Sequence, residues 1–77
     1  MTTVLDARGL RCPLPLLQAR KALSTLSAGA RLTVMVSDPG APADFTAYCA
    51  QTGHRLIEIL PADEPSVCHI VLERGTR

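Results

Sequence analysis

Apolar residues recur along this chain with two periods, one of two residues and one of about 3.6, and the switches between them mark the elements. The clearest period-two run is Arg31 to Ser37. Leu32, Val34 and Val36 point one way there, and Thr33, Met35 and Ser37 the other. From Pro13 to Leu26 the period becomes helical: Leu16, Ala19, Leu23 and Leu26 recur on one side with Ala22, opposite Gln18, Lys21, Ser24 and Thr25. Pro13 at the first helical position and Pro15 within the first turn remove no hydrogen bond that a helix makes. Gly29 marks the exit.

A second helix is predicted from Pro42 to Thr52, with Ala41 as a weak cap. Phe45, Tyr48, Cys49 and Thr52 fall near one of its faces, and Gly53 suits a left-handed C-cap. Val4 to Leu10 is a short strand closed by a turn at Gly9. Arg55 to Leu60 is another, in which the single charge of Glu58 assigns Ile57 and Ile59 to the core. Val67 to Glu73 is the last, after the loop Pro61 to Ser66, and the tail beyond Gly75 is loose. The order is strand, helix, strand, helix, strand, strand. Right-handed crossovers put both helices on one face of the sheet, and the last two strands form an antiparallel hairpin. The expected fold is therefore an α/β two-layer sandwich, a four-stranded mixed sheet with two helices on one side.

At 77 residues the chain is a single domain, 1–77, with a thin core. Chemistry belongs at its surface rather than in a large enclosed pocket. Eight Lys and Arg stand against seven Asp and Glu, so the basic excess that nucleic-acid binding needs is missing. Phe45 and Tyr48 offer little for base stacking. No direct nucleic-acid partner is expected. No apolar run is long enough to span a bilayer and no secretory pattern opens the chain, which predicts a cytoplasmic protein with reduced thiols.

Three cysteines, Cys12, Cys49 and Cys68, form no closed disulfide framework, and with His54 and His69 they make no zinc spacing. Cys49 and Cys68 sit in apolar patterns and read as core filler. Cys12 differs. It stands in Leu10-Arg11-Cys12-Pro13-Leu14-Pro15, just before the first helix. Pro13 biases it toward an extended backbone, which sets the sulfur at a rim. The helix start favours an anion there by about 0.3–1 kcal/mol, well under one pKa unit. Arg8 and Arg11 add to this if close, so a thiolate near neutral pH is expected. Arg8, Arg11, Arg20 and Lys21 form a local basic cluster that reads either as an ordinary solvated face or, beside a reactive sulfur, as a guide for an acidic partner and a support for a sulfur anion. Asp38 ends the central strand before Pro39-Gly40, while Asp44 and Asp63-Glu64 read as caps and solvated loops. The residues alone leave both a reactive and a core-filling role open for Cys12. No Cys-x-x-Cys pair supports a dithiol cycle.

The run Leu5-Asp6-Ala7-Arg8-Gly9-Leu10-Arg11-Cys12-Pro13-Leu14-Pro15, followed by Arg20-Lys21, closely resembles the TusA/SirA-like family of small sulfur carriers. Asp38-Pro39-Gly40, Asp44-Phe45 and Gly53-His54 are similar to that family's middle section, so the likeness runs from Leu5 to Arg74. The resemblance implies the same two-layer fold and a persulfide on Cys12 as the only, transient, group carried. It implies a donor such as a cysteine desulfurase or a rhodanese-type protein, and an acceptor protein in tRNA thiolation, molybdenum cofactor supply or sulfur oxidation. Arg8, Arg11, Pro13, Pro15, Arg20, Lys21 and Asp38 match positions near the active end, the arginines for anion stabilisation and docking, Asp38 for ordering its loop. The competing reading is a non-catalytic adaptor that binds partners through its open sheet face.

Overall fold

The computed structural model describes residues 2–76. Six elements follow in the expected order: β1 Thr2–Ala7, α1 Leu14–Leu23, β2 Arg31–Val36, α2 Ala41–Thr52, β3 Arg55–Pro61 and β4 Cys68–Glu73. The sheet order is β1-β2-β4-β3. β1 pairs parallel with β2, and β4 pairs antiparallel with both β2 and β3. β1, β2 and β3 therefore all run the same way. Their C-terminal ends, and the N-termini of both helices, share one edge of the molecule.

The alternation predicted for β2 is the axis of the core. Leu32, Val34 and Val36 are fully buried under the helices. Opposite them on the same face lie Thr3, Leu5 and Ala7 of β1 and Leu72, Ile70 and Cys68 of β4. Ala19 and Leu23 of α1 and Ala41, Phe45 and Cys49 of α2 close the layer.

In β3 the expected core assignment changes. A bulge between Leu56 and Glu58 takes Ile57 out of register. Leu56 then faces Leu72 and Ile59 faces Ile70 on the helix side, while Glu58 and Leu60 turn to the open face. Leu56 packs against the core, whereas Ile59 sits at the rim, 39% exposed. A strict two-residue period cannot anticipate one inserted residue.

Helix α1 is shorter than its apolar stripe. The N–H of Thr25 and of Leu26 donates to the carbonyl three residues back, Ala22 O and Leu23 O, each at 3.1 Å. The Ser24 and Thr25 hydroxyls donate to Lys21 O and Ala22 O. Arg74 Nε donates to Leu23 O at 2.8 Å. Carbonyls left over at a helix end are satisfied here by side chains and tight turns, which stops the helix at Leu23. At its other end α1 begins one residue later than expected, at Leu14, with Pro13 as the cap position. Helix α2 starts one residue earlier than expected, at Ala41 with Gly40 rather than Ala41 as its cap; it ends on Gly53 in the left-handed region, as predicted.

The C-terminal segment is tied down as far as Gly75. Gly29 N–H donates to Arg74 O, Arg74 N–H to Ala30 O, and Gly75 N–H to His54 Nδ1. Thr76 beyond it is exposed.

Phe45 is the largest side chain wholly removed from solvent. Replacing it with Ala is expected to cost about 3–5 kcal/mol, by lost transfer energy and an unfilled void. Urea unfolding of Phe45→Ala checks this through its midpoint.

Candidate functional site

The loop from β1 to α1 is stitched down on both sides of Cys12. Gly9 turns with a positive φ of 81° and its N–H donates to Ser37 Oγ at 2.8 Å, joining the loop to the end of β2. Leu14 N–H donates to Arg11 O at 2.8 Å and closes a turn around Cys12 and Pro13. Pro15 is buried beneath this turn. Cys12 itself is half-buried and packs against the rim of the core. Its sulfur stands just ahead of α1, at the edge of the sheet where α2 also begins.

Two carboxylates from the neighbouring β2–α2 segment meet it there. The Cys12 thiol donates a hydrogen bond to Asp44 Oδ2. Asp44 lies in the first turn of α2, a position where the helix favours negative charge. Asp38 is the second. Its Oδ2 accepts the Gly40 N–H at 3.1 Å and its carbonyl accepts the Ala41 N–H at 3.1 Å, so it shapes the approach to α2, in line with its expected ordering role.

These neighbours overturn the expected thiolate. The hydrogen bond to Asp44, then burial, then the hydrogen bond to Asp38 favour the protonated form, and the Cys12 pKa is pushed up to about 12. The helix N-terminus is outweighed because its contribution is only about 1 kcal/mol at most in an exposed setting, whereas two nearby anions oppose ionisation directly.

The expected cations do not gather around the sulfur. Arg8 Nε and Nη2 donate to Asp6 at 2.9 and 2.8 Å, and Nη1 donates to Glu64 at 2.6 Å. The pairing holds the Asp6 carboxyl at about 2 and raises the Arg8 guanidinium further. Arg8 thus clips the end of β1 to the β3–β4 loop instead of facing Cys12. Arg11 is exposed, with no side-chain hydrogen bond or ion pair among the described residues. Arg20 and Lys21 occupy the last turn of α1, away from Cys12, where cations complement the helix C-terminus. Arg20 lines a polar hollow of about 220 Å³ with Leu23, Ser24, Tyr48, His54 and Arg74.

Of the residues singled out in the sequence, the structure therefore brings Pro13, Pro15 and Asp38 to Cys12 and leaves Arg8, Arg20 and Lys21 elsewhere. The residue missed was Asp44. Its signal was present: an acidic side chain in the first turn of a helix that starts at the same sheet edge as Cys12. Cys49 is buried as expected. Cys68 packs against the core and also lines an open groove of about 540 Å³ with Ser37, Pro39, Ile59, Pro61, Ser66 and Val67. Burial raises both of these thiols.

Four mixed strands thus carry two helices on one face, with the Cys12 thiol at the edge where both helices start. A sequence model of the family described as Sulfurtransferase TusA matches residues 3–74. The sulfur carrier protein TusA of Allochromatium vinosum is 52% identical over 71 residues, covering 92% of this chain and 91% of that protein. The crystal structure of a SirA-like protein from Desulfitobacterium hafniense has a TM-score of 0.82 at 30% identity, over 97% of this chain and 99% of that one. The chain belongs to the sulfurtransferase TusA family. Its general role is sulfur relay, which implies contact with sulfur-donor and sulfur-acceptor proteins. Among the described residues, no helix is long and apolar enough to cross a membrane.

A thiol held protonated reacts slowly with a small alkylating agent, because the thiolate is the nucleophile. Cys12 is expected to be alkylated by iodoacetamide more slowly than free cysteine at pH 7–8, with the rate still climbing above about pH 10. Arg8→Ala should leave that profile unchanged to within about twofold, since its guanidinium is committed to Asp6 and Glu64. Peptide mass analysis of timed alkylation decides both points, and a plateau near neutral pH would contradict the carboxylate account.

Proposed function

We propose that this chain carries sulfane sulfur as a persulfide on Cys12, taken from a donor protein and passed to an acceptor. The observation that carries this reading is the position of the Cys12 sulfur: half-buried, at the edge where both helices start, with a carboxylate on its proton, in a chain of the sulfurtransferase TusA family.

The exchange conserves atoms and electrons. Cys12–SH attacks the terminal sulfur of a donor persulfide, R–S–SH. A new bond forms between Cys12 Sγ and that sulfur, the donor's S–S bond breaks, and the departing donor thiolate takes up the proton. Cys12–S–SH and R–SH result. The second exchange repeats these steps with an acceptor thiol as the attacking group and Cys12 as the leaving one. The sulfur is cargo, and the reading calls for no resident cofactor. A cysteine desulfurase or a rhodanese-type protein supplies the chemistry required of the donor. Acceptors in sulfur oxidation, tRNA thiolation and molybdenum cofactor supply would all use the same exchange.

Surface next to the sulfur supports delivery by a protein. Leu14 and Leu17 lie one turn apart on α1, directly after Cys12, and each is 48% exposed. Arg11 precedes this pair, and Lys21 lies beyond it toward the far end of the helix. We take this apolar ridge as the docking surface for a partner that brings a sulfur to Cys12, since its burial would strengthen the encounter.

Incubation with a persulfide donor should add one sulfur mass to the wild-type chain. Cys12→Ser should abolish the addition, while Cys49→Ser and Cys68→Ser retain it. Intact mass spectrometry reads the result, and sulfur shared equally among the three cysteines would overturn the assignment. Leu17→Glu should slow loading from a protein donor by about tenfold or more and leave loading from glutathione persulfide unchanged. Equal slowing of both would place Leu17 in folding rather than in docking.

A further inference from the structure

Deprotonation is the unsolved step in any exchange at this cysteine. Asp44 from α2 and Asp38 from the β2–α2 loop are the charged groups that face the thiol. On its own loop Arg8 is bound to Asp6 and Glu64, and Arg11 is exposed. Among the described residues no cation is arranged against the Cys12 sulfur to hold it as a thiolate waiting for substrate. A carboxylate already hydrogen-bonded to the reacting proton is placed instead as a base.

We propose that Asp44 is a catalytic residue of the relay: its carboxylate takes the Cys12 proton as the new sulfur–sulfur bond forms, and Asp38 beside it helps hold the thiol as a hydrogen-bond donor between exchanges. This rests on the reading of Cys12 as the carrier. The proton moves from Cys12 Sγ to Asp44 Oδ2 while the electron pair of the S–H bond goes into the new S–S bond. Asp44 then returns the proton to the departing donor thiolate, so nothing is oxidised or reduced overall. The geometry also has a consequence for the loaded state. A persulfidated Cys12 Sγ has no proton left to give Asp44, and an ionised terminal sulfur is repelled by both carboxylates. The cargo is turned outward, toward an acceptor.

Two reactions of the 77-residue chain separate this role from a simple electrostatic one. Iodoacetamide needs only the thiolate, so Asp44→Asn should speed alkylation of Cys12 at pH 8 by about tenfold or more. Sulfur uptake from glutathione persulfide at pH 7 should slow by about tenfold or more in the same variant, because the base is gone. Asp44→Glu, which keeps a carboxylate, should restore part of both rates. Buried Cys49 serves as the fold reporter and should stay unalkylated throughout. If both rates rise together, or neither moves, Asp44 is not the base. If Cys49 becomes reactive in the Asn variant, the Glu variant decides, and uptake no faster than in Asn overturns the proposal. A wild-type chain that takes up no sulfur on Cys12 overturns the carrier reading itself. Normal wild-type uptake matched by the Asn variant overturns the role of Asp44 alone.

Discussion

Three strands running in the same direction bring every loop that matters to one edge of the sheet. β1 delivers Cys12 there, and β2 delivers Asp38 and the start of α2 with Asp44. The sulfur and the carboxylates come from separate segments, 32 residues apart for Cys12 and Asp44, and only strand direction makes them neighbours. In open sheets with crossover helices the C-terminal strand edge is where ligand chemistry collects, because helix starts and loop backbone converge there. Here the edge holds a thiol and two anions in place of a phosphate loop, which fits a cargo that arrives on another protein.

The core that fixes this edge is small. Twelve apolar side chains, Pro15 among them, are buried among the described residues, and Phe45 is the bulkiest of them. It lies on α2 next to Asp44, so the residue that anchors the second helix also sets the reach of the carboxylate toward Cys12. Pro15 does the same for α1, buried one turn from the sulfur. Packing and site geometry are thus coupled through neighbours in sequence. The surface ion pairs contribute less: Arg8, Asp6 and Glu64 are all solvent-exposed, where water and salt screen such pairs. Their structural effect is positional, since they hold the β3–β4 loop to the end of β1 and keep the guanidinium off the sulfur.

Much of this was legible in the sequence. The alternation from Arg31 to Ser37 and the stripe from Leu16 to Leu26 predicted the right elements, though the strand ends at Val36 and the helix at Leu23; Gly53 predicted the right helix end, because each is a local rule acting on local residues. The family resemblance rested on a local motif as well. Two features were not legible for the same reason in each case. The bulge that exchanges Ile57 for Leu56 in the core depends on how β3 meets β4. The partners of Arg8 and Cys12 depend on loops far away in sequence. Four basic residues close in number, Arg8, Arg11, Arg20 and Lys21, looked like a cluster, yet α1 separates them. Asp6 and Glu64 capture the first, and the last two lie at the far end of the helix. Charge proximity along a chain is a poor guide when a helix intervenes.

The electrostatics of the site bear on what a carrier must avoid. A permanent thiolate would react with any passing electrophile or oxidant, since the anion is the reactive form. A thiol held by Asp44 and Asp38 is quiet toward such reagents, and on the proposed relay its exchange with a persulfide draws on Asp44 as the base. The cost is a slower intrinsic attack, offset when a partner excludes water and aligns its sulfur with Cys12. The charge balance then reverses with the cargo aboard: two carboxylates that favour the neutral thiol disfavour an anionic persulfide. On the proposed relay the same pair of side chains resists stray chemistry in the empty carrier and favours release from the full one, without any change of fold.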